Sequence, residues 1–172
     1  MMPAGNRFNG AVAVLVICAF LAPGCGKKAE EKTAEKMMEK ALSGATGKET
    51  KVDLQKGNVR IESKDMQTDI VSTSTCPPDM FADVPQFTGG AIERVVTSNE
   101  GGMKKFNIYF NGLSAEAIKQ YAEALKSKGW GVDHMHIDKA GMLNATKGNL
   151  GINFAYSTED KKDGMLAVFS TP

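Results

Sequence analysis

Apolar and polar residues follow two regular patterns along this chain. Strict alternation, which is typical of half-buried strands, recurs between turn residues at 49–55, 58–63, 66–72, 92–97, 104–111, 131–137, 142–147, 150–157 and 165–171. Apolar residues at spacings of three and four, which are typical of one helix face, occur at 29–42 and 115–128. The chain is therefore predicted to contain many short strands and two helices.

The second predicted helix has recognisable start and stop signals. Ser114 can accept a hydrogen bond from the first turn, and Gly129 can take the left-handed conformation that ends a helix. A helix that ends there places Trp130 beside Leu125. The stripe that would face the sheet consists of Ile118, Tyr121, Ala122 and Leu125.

The predicted elements after residue 87 follow the order β-β-α-β-β-β-β, with short connections that favour antiparallel neighbours. We therefore predict an α+β fold, in which one helix packs on one face of a small antiparallel sheet, preceded by a helix and a short β-meander. Three strands are marginal alone, so we expect the meander to extend or cover the next module. The predicted divisions are a signal peptide at 1–24, a lipidated N-terminus and tether helix at 25–47, the meander at 48–75, a proline-rich connector at 76–86 and the α+β domain at 87–172.

Composition and charge exclude several classes of protein. With 42% hydrophobic and 24% charged residues among 172, the chain is neither collagen-like nor wholly disordered. The formal net charge is +1. Because phosphate binding needs clustered, uncompensated cations, we do not expect a nucleic-acid partner.

The N-terminus has the pattern of a secretory signal. Arg7 precedes an uncharged apolar run at 11–22, and Lys27 opens the polar chain that follows. Twelve helical residues span about 18 Å, which is less than the hydrocarbon core of about 30 Å. The run is therefore predicted to be a cleaved leader rather than a membrane span.

The residues at the cleavage point, Leu21-Ala22-Pro23-Gly24-Cys25, resemble a bacterial lipoprotein signal. The resemblance implies a diacylglycerol and acyl lipid on Cys25, and Gly26 after it implies delivery to the outer membrane, facing the periplasm. Two or three acyl chains would hold the protein on the membrane without a spanning helix. The alternative is ordinary signal-peptidase cleavage at an A-x-A-like site formed by Ala22 and Gly24, which would release a soluble periplasmic protein that begins at Cys25.

A wider resemblance extends over the C-terminal part of the chain. The segment 114–130, with Tyr121, Leu125 and then Gly129-Trp130, and the strands that follow it are similar to a loosely defined group of small bacterial envelope lipoproteins. This resemblance implies an α+β module and an envelope location. It implies no reaction.

The sequence lacks the common catalytic patterns. It contains no Gly-x-Ser-x-Gly elbow, no His-Glu-x-x-His and no dinucleotide glycine fingerprint. We therefore expect a non-enzymatic interaction module that binds another envelope component through one sheet face or through 77–90. A hydrolytic enzyme is the least favoured function.

His134 and His136 are the two histidines of the chain, and they are the basis of an alternative function. Their two-residue spacing in a strand places both imidazoles on one face, with Asp138 next in register. Such a group can converge on Zn²⁺ or Cu²⁺, which would make the chain a periplasmic metal- or small-ligand-binding protein. The structural alternative is a polar end of a packed surface, because two histidines fall short of the three or four ligands of stable sites.

Cysteine use depends on the fate of Cys25. If Cys25 is acylated, Cys76 is the single thiol left after the leader is removed, and it is either a small packed side chain or a group that pairs with another chain or acts in redox chemistry. If Cys25 is not acylated, a bridge between Cys25 and Cys76 is possible.

The lipid anchor is directly testable. We expect Cys25→Ala to abolish acylation, because the thiol is the group that the lipid modifies. The N-terminal mass of the protein, measured for wild type and variant after membrane extraction, should differ by the acyl groups. Equal N-terminal masses, apart from the substitution itself, would contradict the prediction.

Overall fold

A computed structural model of the chain describes residues 28–55, 58–159 and 162–171. Within these ranges nine strands form one antiparallel sheet, with one helix before the first strand and a second helix between the fifth and sixth strands. The elements are α1 Lys28–Thr46, β1 Thr50–Gln55, β2 Asn58–Ser63, β3 Met66–Val71, β4 Ala91–Glu100, β5 Met103–Asn111, α2 Ala115–Ser127, β6 Gly131–Ile137, β7 Ala140–Lys147, β8 Leu150–Ser157 and β9 Gly164–Ser170. The bounds of the nine strands lie within three residues of their predicted bounds, whereas α1 continues to Thr46, four residues beyond its predicted end.

The predicted α+β fold class is wrong. The strand order is β1-β2-β3-β4-β5-β9-β8-β7-β6, so the meander and the C-terminal strands form one nine-stranded sheet that dominates the fold. The physical reason is the pairing of β3 with β4, from Met66 opposite Glu100 to Val71 opposite Val95. An unpaired β3 would leave a row of backbone N–H and C=O groups without partners. The prediction that residues 76–86 connect two separate folding units remains a prediction.

The two helices pack on opposite faces of this sheet. Directly opposed residues in an antiparallel pair share a face, and Ile70, which packs with the α1 cluster, is opposite Val96. The adjacent Val95 is opposite Ile108 and belongs to the α2 core. Neighbouring residues of a strand point to opposite faces. The apolar side of the sheet therefore changes between β3 and β4.

The larger core lies between α2 and the C-terminal strands. Phe106, Phe154 and Leu125 are fully buried there. The segment that joins β3 to β4 also covers this core, because Phe87 packs edge-on against Phe110 and Phe154 with ring centroids 5.0 Å apart in both pairs. Val84, inside the predicted connector at 76–86, is buried in the same core, so the connector also contributes to the hydrophobic core.

The predicted ends of α2 are confirmed. The Ser114 side chain accepts a hydrogen bond from the Ala117 backbone N–H at 3.2 Å. At the other end Gly129 has φ 81°, and the Trp130 N–H donates to the Leu125 carbonyl at 3.1 Å. This is the hydrogen bond of a Schellman ending, and it fixes Trp130 in the core at 4% exposure.

Helix α1 protects one edge of the sheet. The Val52 N–H donates to Glu39 Oε1 at 3.0 Å, and the Leu54 N–H donates to Glu35 Oε1 at 2.9 Å. The two glutamates are four residues apart on the helix, and the two N–H groups are two residues apart on the strand. Both spacings correspond to about 6 Å, so each carboxylate reaches one N–H group. α1 thus supplies the acceptors that an additional strand would supply, and it is docked on the sheet rather than free as a stalk.

Several predictions lie outside the described residues. The signal peptide at 1–24 and Cys25 are among them, so the anchor stays a prediction. Within the described ranges, neither helix combines the length and the apolar character that crossing a bilayer requires.

The edge contact of α1 predicts a difference between two variants of Glu39. We expect Glu39→Ala to lower the free energy of unfolding by about 1 kcal/mol, because the Val52 N–H loses its acceptor. Glu39→Gln keeps an acceptor oxygen and is the matched control. Urea unfolding followed by circular dichroism measures both variants, and equal destabilisation of the two would contradict this role of the carboxylate oxygen.

Candidate functional site

The two histidines converge on a tyrosine hydroxyl at one end of the sheet. β6 is an edge strand, and it exposes His134 and His136 on one side. Tyr156 Oη lies 2.7 Å from His134 Nε2 and 3.0 Å from His136 Nδ1. The His136 and Tyr156 rings are nearly parallel, with an interplanar angle of 14° and centroids 6.0 Å apart. We call these three residues the His-Tyr cluster.

A glycine in the strand between them makes this contact possible. Tyr156 is on β8 and His136 is on β6, and both are opposite Gly141 of β7. A Cβ at Gly141 would lie 2.4 Å from Tyr156 Oη and 2.7 Å from the Met135 carbonyl oxygen. The absence of a side chain therefore lets the tyrosine lie across β7 and reach the histidines.

Burial affects protonation in the His-Tyr cluster. Tyr156 is 6% exposed, and desolvation raises the pKa of its hydroxyl, which therefore stays protonated at neutral pH. Desolvation, together with the charge of a protonated His136, lowers the pKa of His134 and favours its neutral form. The Tyr156 hydroxyl has one proton and contacts two ring nitrogens, so Oη donates a hydrogen bond to one imidazole and accepts a hydrogen bond from the other.

Asp138 does not join this group. It lies in the turn between β6 and β7 with φ 54°, where the chain leaves the extended conformation that places alternate residues on one face. Among the described residues, no three of His, Cys, Asp and Glu are close enough to hold a metal ion. The structure thus brings both histidines of the predicted metal site together with Tyr156, and not with Asp138.

A second candidate site is a cleft of about 490 Å³ at the other end of the sheet. Its floor is the side of β1 to β3 that faces away from α1, and its wall is the beginning of the segment between β3 and β4. We call it the meander cleft. The residues that define it here are Asp53, Gln55, Arg60, Asp69, Thr97, Cys76, Pro77, Pro78 and Asp79.

The meander cleft is acidic. Asp53, Asp69 and Asp79 are its three carboxylates, and Arg60 is its one cation. The Arg60 Nε–H donates to Asp69 Oδ1 at 2.6 Å, and this hydrogen bond raises the pKa of the guanidinium. Lys104 donates to Asp79 from the rim and lowers the pKa of that carboxyl. Asp53 is hydrogen-bonded to Gln55 at 2.9 Å, and no salt bridge to it is found within the described residues.

Cys76 lies in the wall of the meander cleft. It is half-buried, and it forms no disulfide within the described part of the chain. Its thiol donates to Met80 Sδ at 3.7 Å, and burial raises its pKa. A raised pKa favours the protonated, weakly nucleophilic thiol, and Cys76 also packs against the α2 core.

Sequence reasoning missed both Tyr156 and the meander cleft. Tyr156 fits the apolar alternation of its strand, and its hydroxyl contact depends on the pairing of three strands. Gly141 was the available signal, because a glycine inside a strand marks a close approach by another group. The cleft depends on which face α1 covers, and the pattern of a single helix does not specify that.

Comparisons with protein-family models, with curated proteins and with solved structures find no match for this chain. A functional inference therefore has to rest on the geometry of the His-Tyr cluster and the meander cleft.

The role of Gly141 gives a testable prediction. We expect Gly141→Ala to lower the free energy of unfolding by about 1–3 kcal/mol, because the new methyl group overlaps Tyr156 and the β6 backbone. Gly131→Ala is the matched control, since a Cβ at Gly131 meets its nearest atom at 3.7 Å. Thermal unfolding measures stability, and NMR spectra of the two histidine rings report the loss of their contact with Tyr156. A Gly141→Ala protein as stable as Gly131→Ala, with unchanged histidine spectra, would contradict the prediction.

Proposed function

We propose that this chain is a non-enzymatic, lipid-anchored protein of the bacterial cell envelope that binds an extended, positively charged segment of another envelope protein. The meander cleft is the observation that carries this proposal. Its volume of about 490 Å³ is within the range of binding pockets. Arg60 is paired with Asp69 and Lys104 with Asp79, so Asp53 is the carboxylate in excess, and it favours a lysine or arginine side chain of the partner.

The shape of the meander cleft supports an extended occupant. Its floor is three strands whose polar side chains lie in rows, and Pro77 and Pro78 form part of its wall. Proline has no N–H and restricted backbone freedom, so this wall needs little ordering when a partner docks. An extended segment can lie between floor and wall and place alternate side chains in the cleft.

The anchor would place the meander cleft near the membrane. α1 begins at Lys28, three residues after Cys25, and its 19 residues span about 28 Å. An acylated Cys25 would therefore hold the sheet close to the membrane surface. We propose the outer membrane, facing the periplasm, as its location.

Crosslinking in intact cells tests the partner. A photoreactive amino acid replaces Gln55 in the meander cleft or, as the control position, Lys119, which is exposed on α2. We expect a crosslinked protein at Gln55 and none at Lys119. Adding Asp53→Asn should lower the crosslinked yield about fivefold, since an exposed ion pair contributes about 1 kcal/mol.

Glu123→Gln is the matched charge control, because Glu123 pairs with Lys126 on the exposed side of α2, away from the cleft. It should leave the crosslinked yield unchanged. Equal yields at Gln55 and Lys119, or equal effects of Asp53→Asn and Glu123→Gln, would overturn the proposal. A crosslink at Gln55 to small molecules alone would also overturn it.

A further inference from the structure

We propose that His134, His136 and Tyr156 form a binding site for Cu²⁺. The three side chains place two imidazole nitrogens within 2.7 and 3.0 Å of one phenolic oxygen. Imidazole nitrogens and an anionic oxygen are ligands that suit divalent copper. This site lies on β6 and β8, away from the meander cleft on β1 to β3, so it does not rest on the proposed function.

The kind of donor atom selects the kind of metal. Distances of 2.7 and 3.0 Å are ordinary hydrogen-bond lengths, so the phenolic oxygen and the two nitrogens are close enough for an ion to replace the phenol proton between them. Two imidazole nitrogens and one phenolate oxygen form a nitrogen- and oxygen-donor set that suits Cu²⁺. Cu²⁺ binds nitrogen and oxygen ligands more tightly than the other divalent ions of its row.

The protons balance when the ion binds. The Tyr156 O–H bond breaks, its proton leaves to water and the phenolate oxygen binds the metal ion. The imidazole that donated its N–H to Tyr156 shifts that proton to its other nitrogen and offers a lone pair. The other imidazole offers the lone pair that had accepted from the phenol. No electron is transferred, so copper stays divalent.

The surroundings of the cluster suit a site that is held in place yet accessible. Tyr156 is 6% exposed, and its ring lies 6.0 Å from that of Phe154, so the phenol is fixed by packing. The two histidines are exposed on the edge strand. Solvent can therefore deliver the ion, and water can fill the remaining coordination positions.

Titration with Cu²⁺ alone tests the site on the full chain. The protein is first treated with chelator, and its accessible thiols are alkylated so that they neither bind nor reduce copper. We expect one high-affinity equivalent, paramagnetic resonance with coupling to two nitrogens, and a visible charge-transfer band from tyrosinate to copper. His134→Ala and His136→Ala should each weaken binding on the order of a hundredfold. Zn²⁺ should bind more weakly than Cu²⁺.

Tyr156→Phe separates the three-ligand site from a simple histidine pair. It should remove the charge-transfer band and weaken binding about tenfold, while circular dichroism verifies that the variant is folded. Asp138→Asn is the matched control and should bind as wild type does. Wild-type affinity in the histidine variants would overturn the site, and an unchanged band and affinity in Tyr156→Phe would overturn the assignment of the phenolate. Either failure would leave the meander cleft proposal standing.

Discussion

The backbone pairing of β3 with β4 is the interaction on which the rest of this structure depends. It joins a three-stranded meander to six further strands across six opposed residue pairs. A short meander is marginal alone, and a sheet with a free inner edge would leave backbone groups unpaired. Because the pairing runs between sequence segments separated by 19 residues, it also sets the path of the segment between them.

That pairing fixes a change of apolar face within one sheet. β1 to β3 bury Val52, Val59 and Ile61 against α1, and the later strands bury their apolar residues against α2 on the opposite side. The polar side of the meander is consequently open beside the apolar core of the neighbouring strands. The meander cleft is the direct result, because the segment after β3 turns towards the α2 side and forms its wall.

The two ends of the sheet differ in chemistry. At β1 the carboxylates of α1 accept hydrogen bonds from the strand backbone, which prevents that edge from pairing with another chain. At β6 the edge is exposed and contains both histidines. Tyr156 links this edge to the core across the gap that Gly141 leaves. One end of the sheet is therefore closed by a helix, and the other presents nitrogen and oxygen donors.

The sequence by itself determined the positions of the strands and of α2. Alternation and helical spacing depend on residues a few positions apart, and Ser114, Gly129 and Trp130 act on the adjacent turn. The tertiary structure alone decided that β3 pairs with β4, that α1 and α2 lie on opposite faces, and that Tyr156 rather than Asp138 meets the histidines. These features depend on contacts between distant segments, and local patterns specify which face is apolar without specifying what covers it.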